Sequence, residues 1–281
     1  MLSLLLLAVL VILCRFTIIA MVVPKKSLGQ NFLRDENIAR NIAAEIDPKR
    51  DDILLEIGPG MGALTAHLAG TTDHYLGIEV DTRALELLRT RFQNAEFLRQ
   101  DILDVRLDDL ARRFGSKIRV AGNIPYYITS EILFWIIDQR AHVLDAVLMM
   151  QLEVARRLTA KPRTKEYGIL SVVSQFYSIP SIAFRVSRNS FFPVPAVDSA
   201  LVHLTLRQDV PAHNEQLFRR VVRDTFGKRR KTMFNGLRYA GYPEEALKQL
   251  TTDLTRRPEE LSGEEFLKLT NELETLRNSQ K

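Results

Sequence analysis

The stretch ILLEIGPGMGALT, residues 53–65, constrains the fold more than any other. A short apolar run goes straight into a turn with glycine at 58, 60 and 62, and a helical pattern follows. An apolar run closed by glycine reads as a strand buried on both faces. A helix directly after it reads as the opening of a βαβ unit. The rest of the chain repeats that rhythm. DENIARNIAAEI places Ile38, Ile42 and Ile46 at i, i+4 and i+8. YLGIEV reads as a strand, and TRALELLRTRF as a helix with Leu85, Leu88 and Phe92 on one face. AEFLRQD, KIRVAGN and HVLDAVLMMQ read as further strands; Ile128, Ile132, Trp135 and Ile136 share a helix face, and LEVARRLTA is a helix. The pattern predicts an α/β fold with a doubly wound, mostly parallel, Rossmann-like sheet.

Near residue 180 the character changes. SIAFRVS and ALVHLTLR predict an antiparallel edge around the proline-rich loop NSFFPVPAVDS. Beyond about residue 208 only helical signals remain, including a capping-box pattern at Ser262 and Glu265. The expected organisation is an apolar segment 1–23, a catalytic α/β domain 24–207 and a small all-helical domain 208–281. The first segment carries one charge, Arg15, and admits three readings. Met21 is the working start, or the segment is a membrane anchor, or it is a cleaved signal. Nothing else in the sequence reads as secreted or membrane-embedded, so the expected location is the cytoplasm. The single cysteine, Cys14, excludes an intrachain disulfide and a cysteine zinc site, and fits a reducing compartment. The histidines at 67, 74, 142, 203 and 213 show no metal-ligand spacing, so no metal is expected.

In an open α/β sheet, ligands bind outside the carboxyl ends of the strands. The first strand delivers Gly58 and Gly60, whose missing Cβ lets backbone approach a ligand. The second delivers Glu79, placed to accept hydrogen bonds from ribose hydroxyls. The third delivers Asp101, placed for an exocyclic amine, and the fourth delivers Asn123. Gly58-x-Gly60-x-x-Ala63 also fits the looser dinucleotide fingerprint, so a nicotinamide enzyme is a rival; Pro59 counts against it, because it lacks the N–H that a pyrophosphate wants.

Charge supplies the other half of the reading. The chain carries +5 overall, yet residues 206–240 hold nine Lys/Arg against three Asp/Glu. Such a concentration, with KRRK at 228–231, suits phosphate contacts, and Arg229, Arg230 and Lys231 are the expected nucleic-acid-binding residues.

Seven segments then carry a resemblance: SLGQNFL at 27–33, LEIGPGMGALT at 55–65, IEVD at 78–81, QDILD at 100–104, GNIPYYIT at 122–129, FFPVPAVDSA at 191–200 and FGKRRKTMFNGL at 226–237. The chain resembles the ribosomal RNA adenine dimethyltransferases. The resemblance implies S-adenosyl-L-methionine as cofactor and two adjacent adenosines near the 3′ end of small-subunit ribosomal RNA as target. It implies cofactor contacts from Asn31, Leu33, Gly58, Glu79, Asp101 and Asn123. Asn123 and Tyr126 are the expected catalytic residues. The expected geometry has the Asn123 oxygen and the Ile124 carbonyl accepting the N6 hydrogens and Tyr126 stacking on the adenine; for Phe191 the resemblance implies a second aromatic against the base, while the residue pattern reads equally as a strand-end core residue. Tyr127 reads as packing, and Phe192 as less suited to stacking than Phe191. The expected partner is small-subunit rRNA within a pre-30S particle, bound by a monomer. Rival readings are a large-subunit adenine methyltransferase of the antibiotic-resistance type and a non-enzymatic ribosome-assembly factor.

Overall fold

The computed structural model describes residues 22–210 and 214–279. The readings of the N-terminal segment through residue 21, of Cys14 and of His213 lie outside the described residues. Among the described residues, no helix is long and apolar enough to cross a membrane.

The strands are β1 (Phe32–Leu33), β2 (Ile53–Ile57), β3 (His74–Glu79), β4 (Glu96–Arg99), β5 (Ile118–Asn123), β6 (Val143–Gln151), β7 (Ser178–Val186), β8 (Phe191–Phe192) and β9 (Ser199–Leu206). Seven of them form one sheet in the order β4-β3-β2-β5-β6-β9-β7. The first five in that order run parallel; β9 runs antiparallel to both β6 and β7, as the edge pattern predicts. β1 and β8 pair separately, with Leu33 opposite Phe191 and Phe32 opposite Phe192.

All five residues of β2 are buried, which is why its sequence is apolar at every position but one. Glu56 is the exception within it. Thr65 Oγ1 donates to its carboxylate at 2.9 Å and Tyr75 O–H donates as well. Burial pushes the Glu56 carboxyl up to about 7. From β2 the chain winds outward through β3 to β4, then returns to β5 on the other side of β2. The strand order therefore reverses between β2 and β5, and a crevice opens above their carboxyl ends. The close fit there is set by Gly122, where a Cβ would fall 2.5 Å from the Ile57 carbonyl oxygen.

Two apolar clusters cover the two sheet faces. A third joins helix Ile169–Tyr177 and Ile137, from helix Thr129–Asp138, to Phe218, Val221 and Val222 and the C-terminal helix Gly263–Ser279. The C-terminal helices thus complete their burial on the α/β part.

Candidate active site

Asn31, Gly58, Gly60, Glu79, Asp101, Asn123, Ile124 and Tyr126 line one cavity of about 240 Å³. It lies where the strand order reverses.

The floor is the turn after β2. Gly58 has φ 62° and Gly60 φ 57°, a region open to glycine at little cost. At Gly60 a Cβ would also lie 3.0 Å from the Phe32 ring. The glycine amides of this turn are spent inside the protein. Gly60 N–H donates to Glu79 Oε2 at 3.0 Å, and Gly62 N–H donates to the Pro59 carbonyl at 2.9 Å. The next helix begins only at Thr65. A pyrophosphate would meet a buried carboxylate instead of a row of donors, which removes the dinucleotide reading.

Glu79 is 5% exposed and takes the Asp81 N–H on Oε1 at 2.9 Å. Burial raises its pKa. Each oxygen is fixed by one backbone donor and retains acceptor capacity for hydroxyl groups. Asp101 is exposed, and its Oδ1 caps the short turn Ile102–Asp104 through Leu103 N–H at 3.0 Å. Beside these acids, Ile78, Val80 and Ile102 give the cavity an apolar wall. A pair of acceptors on an apolar wall, over a floor without side chains, fits a nucleoside.

The other wall is the loop after β5. Asn123 Nδ2 donates to the Asn31 carbonyl at 2.9 Å. A carbonyl only accepts, so this bond fixes which way the amide is turned and leaves Oδ1 as the uncommitted atom. Ile124 N–H donates to the Met149 carbonyl at 3.2 Å, and the Ile124 side chain is buried. Among the described residues the Ile124 carbonyl accepts no hydrogen bond. Pro125 has φ −60° and ψ 132° and holds the chain extended. Thr129 Oγ1 donates to the Pro125 and Tyr126 carbonyls, both at 3.2 Å. Tyr126 hydroxyl and Ser199 Oγ lie 2.7 Å apart, and burial raises the Tyr126 pKa.

A strap formed by residues 22–31 crosses beside the cavity. Gln30 Nε2 donates to Asp81 Oδ2 at 3.0 Å, and Arg83 Nη1 donates to the Val23 carbonyl at 3.1 Å. The hydrogen bond from Arg83 pulls the buried Asp81 down to about 2. The Tyr127 ring lies against Gly29, while 57% of the residue stays exposed. Gln30 and Asp81 escape a reading of strand ends because one precedes the sheet and the other reads as a helix cap.

Two expected site residues are buried. Leu33 sits in the core with Ile42 and lines, together with Gly58, Gly60 and Asn123, a smaller pocket beside the cavity. Phe191, expected to face the base, is 1% exposed in the same core. The β1–β8 pairing explains this placement. Side chains alternate along a strand, so the register that turns Leu33 and Phe191 inward turns Phe32 and Phe192 to the other side.

In the basic segment, Lys228, Arg230 and Lys231 are exposed. Arg229 is partly buried and donates to the Thr164 and Lys165 carbonyls at 3.3 and 3.2 Å. Arg219 is likewise engaged, with Asp138 and the Tyr177 ring.

Known proteins place this geometry. The profile described as ribosomal RNA adenine dimethylase matches residues 23–275. "Ribosomal RNA small subunit methyltransferase A" of Chlorobium phaeobacteroides is 43% identical over 253 residues, covering 90% of this chain and 92% of its own. The protein of that name from Clostridioides difficile is 38% identical, covering 89% and 91%. Among solved structures, a dimethyladenosine transferase from Plasmodium falciparum has a TM-score of 0.75 at 26% identity, covering 88% of this chain and 98% of its own. The 23S rRNA methyltransferase ErmE has a TM-score of 0.65 at 28% identity, covering 87% and 100%. A profile matched from the strap to the last helix, on a chain whose strand ends build a nucleoside-shaped cavity, leaves one assignment: the chain belongs to the ribosomal RNA adenine dimethylase family.

Proposed function

We propose that the protein uses S-adenosyl-L-methionine to dimethylate N6 of two adjacent adenosines in a 3′-terminal hairpin loop of small-subunit (16S) rRNA. In this reading it acts as a cytoplasmic monomer on an assembling pre-30S particle. The observation that carries the chemistry is the fixed amide of Asn123 beside the uncommitted carbonyl of Ile124.

The cavity suits the cofactor. Glu79 would take its ribose hydroxyls and Asp101 its adenine amine, with Gly58, Gly60 and the backbone near Asn31 against the remainder. When bound, the cofactor supplies an electrophilic methyl group. The residues of the chain then have a geometric task. Adenine N6 is a poor nucleophile because its lone pair is delocalised into the ring. Asn123 Oδ1 and the Ile124 carbonyl accept its two hydrogens, which draws the nitrogen toward a tetrahedral shape and frees the lone pair. Tyr126 offers a face to the unstacked base; base–aromatic stacking is worth about 1–3 kcal/mol. Its hydroxyl bond to Ser199 and the Thr129 bonds hold that face still. Orientation of this kind supplies much of the rate in reactions between bound partners. The proton leaving N6 passes to water.

Arg230, Lys231 and Lys228 would grip phosphates, with Arg229 tying that segment down. The similarity to a 23S rRNA methyltransferase keeps a large-subunit substrate as the second reading. The names of the relatives at about 40% identity, which specify the small subunit, support the first. Labelled-methyl transfer to purified undermethylated small subunits, large subunits and bare rRNA, with mass mapping of the products, tests the choice. Incorporation into the large subunit alone would overturn the first reading.

A further inference from the structure

Phe192 lies outside the core that holds Phe191. It is 38% exposed and pairs with Phe32, a residue lining the cavity. The Arg34 guanidinium sits over its ring, 5.0 Å from the centroid. Arg34 is exposed and has no carboxylate within salt-bridge distance among the described residues. Farther along the same loop, Val194 is 56% exposed and Val197 42%. A flat aromatic and the cation stacked on it thus stand next to a cavity-lining residue, and exposed valines follow farther along the same loop.

We infer that Phe192 and Arg34 form a stacking step for the nucleotide next to the target adenosine in the RNA. This rests on the reading of Asn123, Ile124 and Tyr126, on one wall of the cavity, as the site of the target adenosine. The occupant follows from position and chemistry. The step is continuous with the cavity through the β1–β8 pairing, so whatever neighbours the target base passes over it. A base extruded for chemistry leaves its neighbour without a stacking partner on one side. Phe192 and the planar guanidinium offer that partner, and the guanidinium edge also offers donors to the intervening phosphate. An apolar peptide would leave the charge of Arg34 uncompensated, whereas a polyanion satisfies both features.

The test uses the full chain, undermethylated small subunits as substrate, and Phe192→Leu, Phe192→Tyr, Arg34→Gln and Arg34→Lys. Phe192→Leu keeps apolar volume and loses the flat face. It should lower kcat/KM for methyl transfer about tenfold, mainly through KM, while Phe192→Tyr stays within twofold of wild type. Arg34→Gln should lower kcat/KM severalfold and flatten its salt dependence; Arg34→Lys should restore only the salt dependence, because it keeps the charge without the plane. S-adenosylmethionine affinity, measured by calorimetry, should be unchanged in all four. Wild-type kinetics in both Phe192→Leu and Arg34→Gln would overturn the inference. So would a loss in Phe192→Leu that tracks weakened cofactor binding, since that marks a packing role. If the wild-type protein itself fails to methylate small subunits, the substrate reading falls first; the same variants on whichever rRNA accepts methyl groups then decide the stacking step separately.

Discussion

The side-chain amide of Asn123 is anchored to the backbone of Asn31, with Nδ2 2.9 Å from the carbonyl oxygen. Two residues far apart in sequence, one in the strap and one at the tip of β5, together fix the orientation of a single acceptor atom.

Asn123→Ala removes that acceptor and should reduce methyl transfer at least about a hundredfold, the scale of loss when a reacting group is no longer aligned. Asn123→Asp sets an acceptor against the Asn31 carbonyl and should be nearly as poor despite its shape. Single-turnover methyl transfer on undermethylated small subunits checks both. Activity within threefold of wild type in either variant contradicts the assigned role.

Glu79→Gln should weaken S-adenosylmethionine binding tenfold or more. A glutamine has one acceptor oxygen for the two N–H groups of Gly60 and Asp81, so one of them faces an NH2 group. A buried donor left unpaired costs about 1–3 kcal/mol, so the melting temperature should fall too. Calorimetric titration and thermal denaturation measure the two effects.

Stability should decline as pH rises from about 4.5 through about 7 and beyond. Burial raises Glu56 from 4.5 to about 7, so between those values the folded state binds more protons than the unfolded one. His203 acts in the same direction. Its bonds to Asp145 and Glu45 raise its pKa above 6.5, and the stabilisation fully present below 6.5 is lost as pH climbs through the folded value. Glu56→Gln should flatten the lower part of this profile and His203→Phe the upper part. Equilibrium unfolding at stepped pH provides the test; a slope unchanged in Glu56→Gln would remove that residue from the account.

The basic segment should divide by function. Arg230→Glu with Lys231→Glu should weaken rRNA binding and reduce the salt slope, each lost phosphate contact lowering it by about one. Cofactor affinity and melting temperature should not move. Arg229→Ala should instead lower the melting temperature, because it frees the carbonyls of Thr164 and Lys165. Filter binding across a salt series and thermal denaturation separate the two outcomes.

The sheet was legible because β2, β3, β5 and β6 are mostly apolar runs that each close on a glycine or a polar residue, and such runs leave little choice of partner face. Gly58, Glu79, Asp101 and Asn123 follow directly, since each occupies a strand end. The inward turn of Phe191 was not legible. It depends on a two-residue pairing between segments about 160 residues apart, which no local pattern encodes. Helix Ile169–Tyr177 was hidden for another reason. Its Val172, Val173 and Tyr177 suit a strand as well as a helix, and they adopt a helix to meet Phe218 and Val222. The double duty of Arg229 was equally hidden, because a run of four cations does not tell which one turns back onto carbonyls.

Helix Thr129–Asp138 starts directly behind Tyr126 and contributes Ile137 to the apolar cluster shared with the C-terminal helices. Ten residues of helix make a strut about 15 Å long. In the proposed function one end carries the platform for the base, and the other packs against the helix that leads into the cations. That reading gives the RNA a fixed-jaw gauge: phosphates and an exposed adenosine spaced wrongly would meet only one of the two jaws, so part of the selectivity would be a matter of distance rather than of sequence.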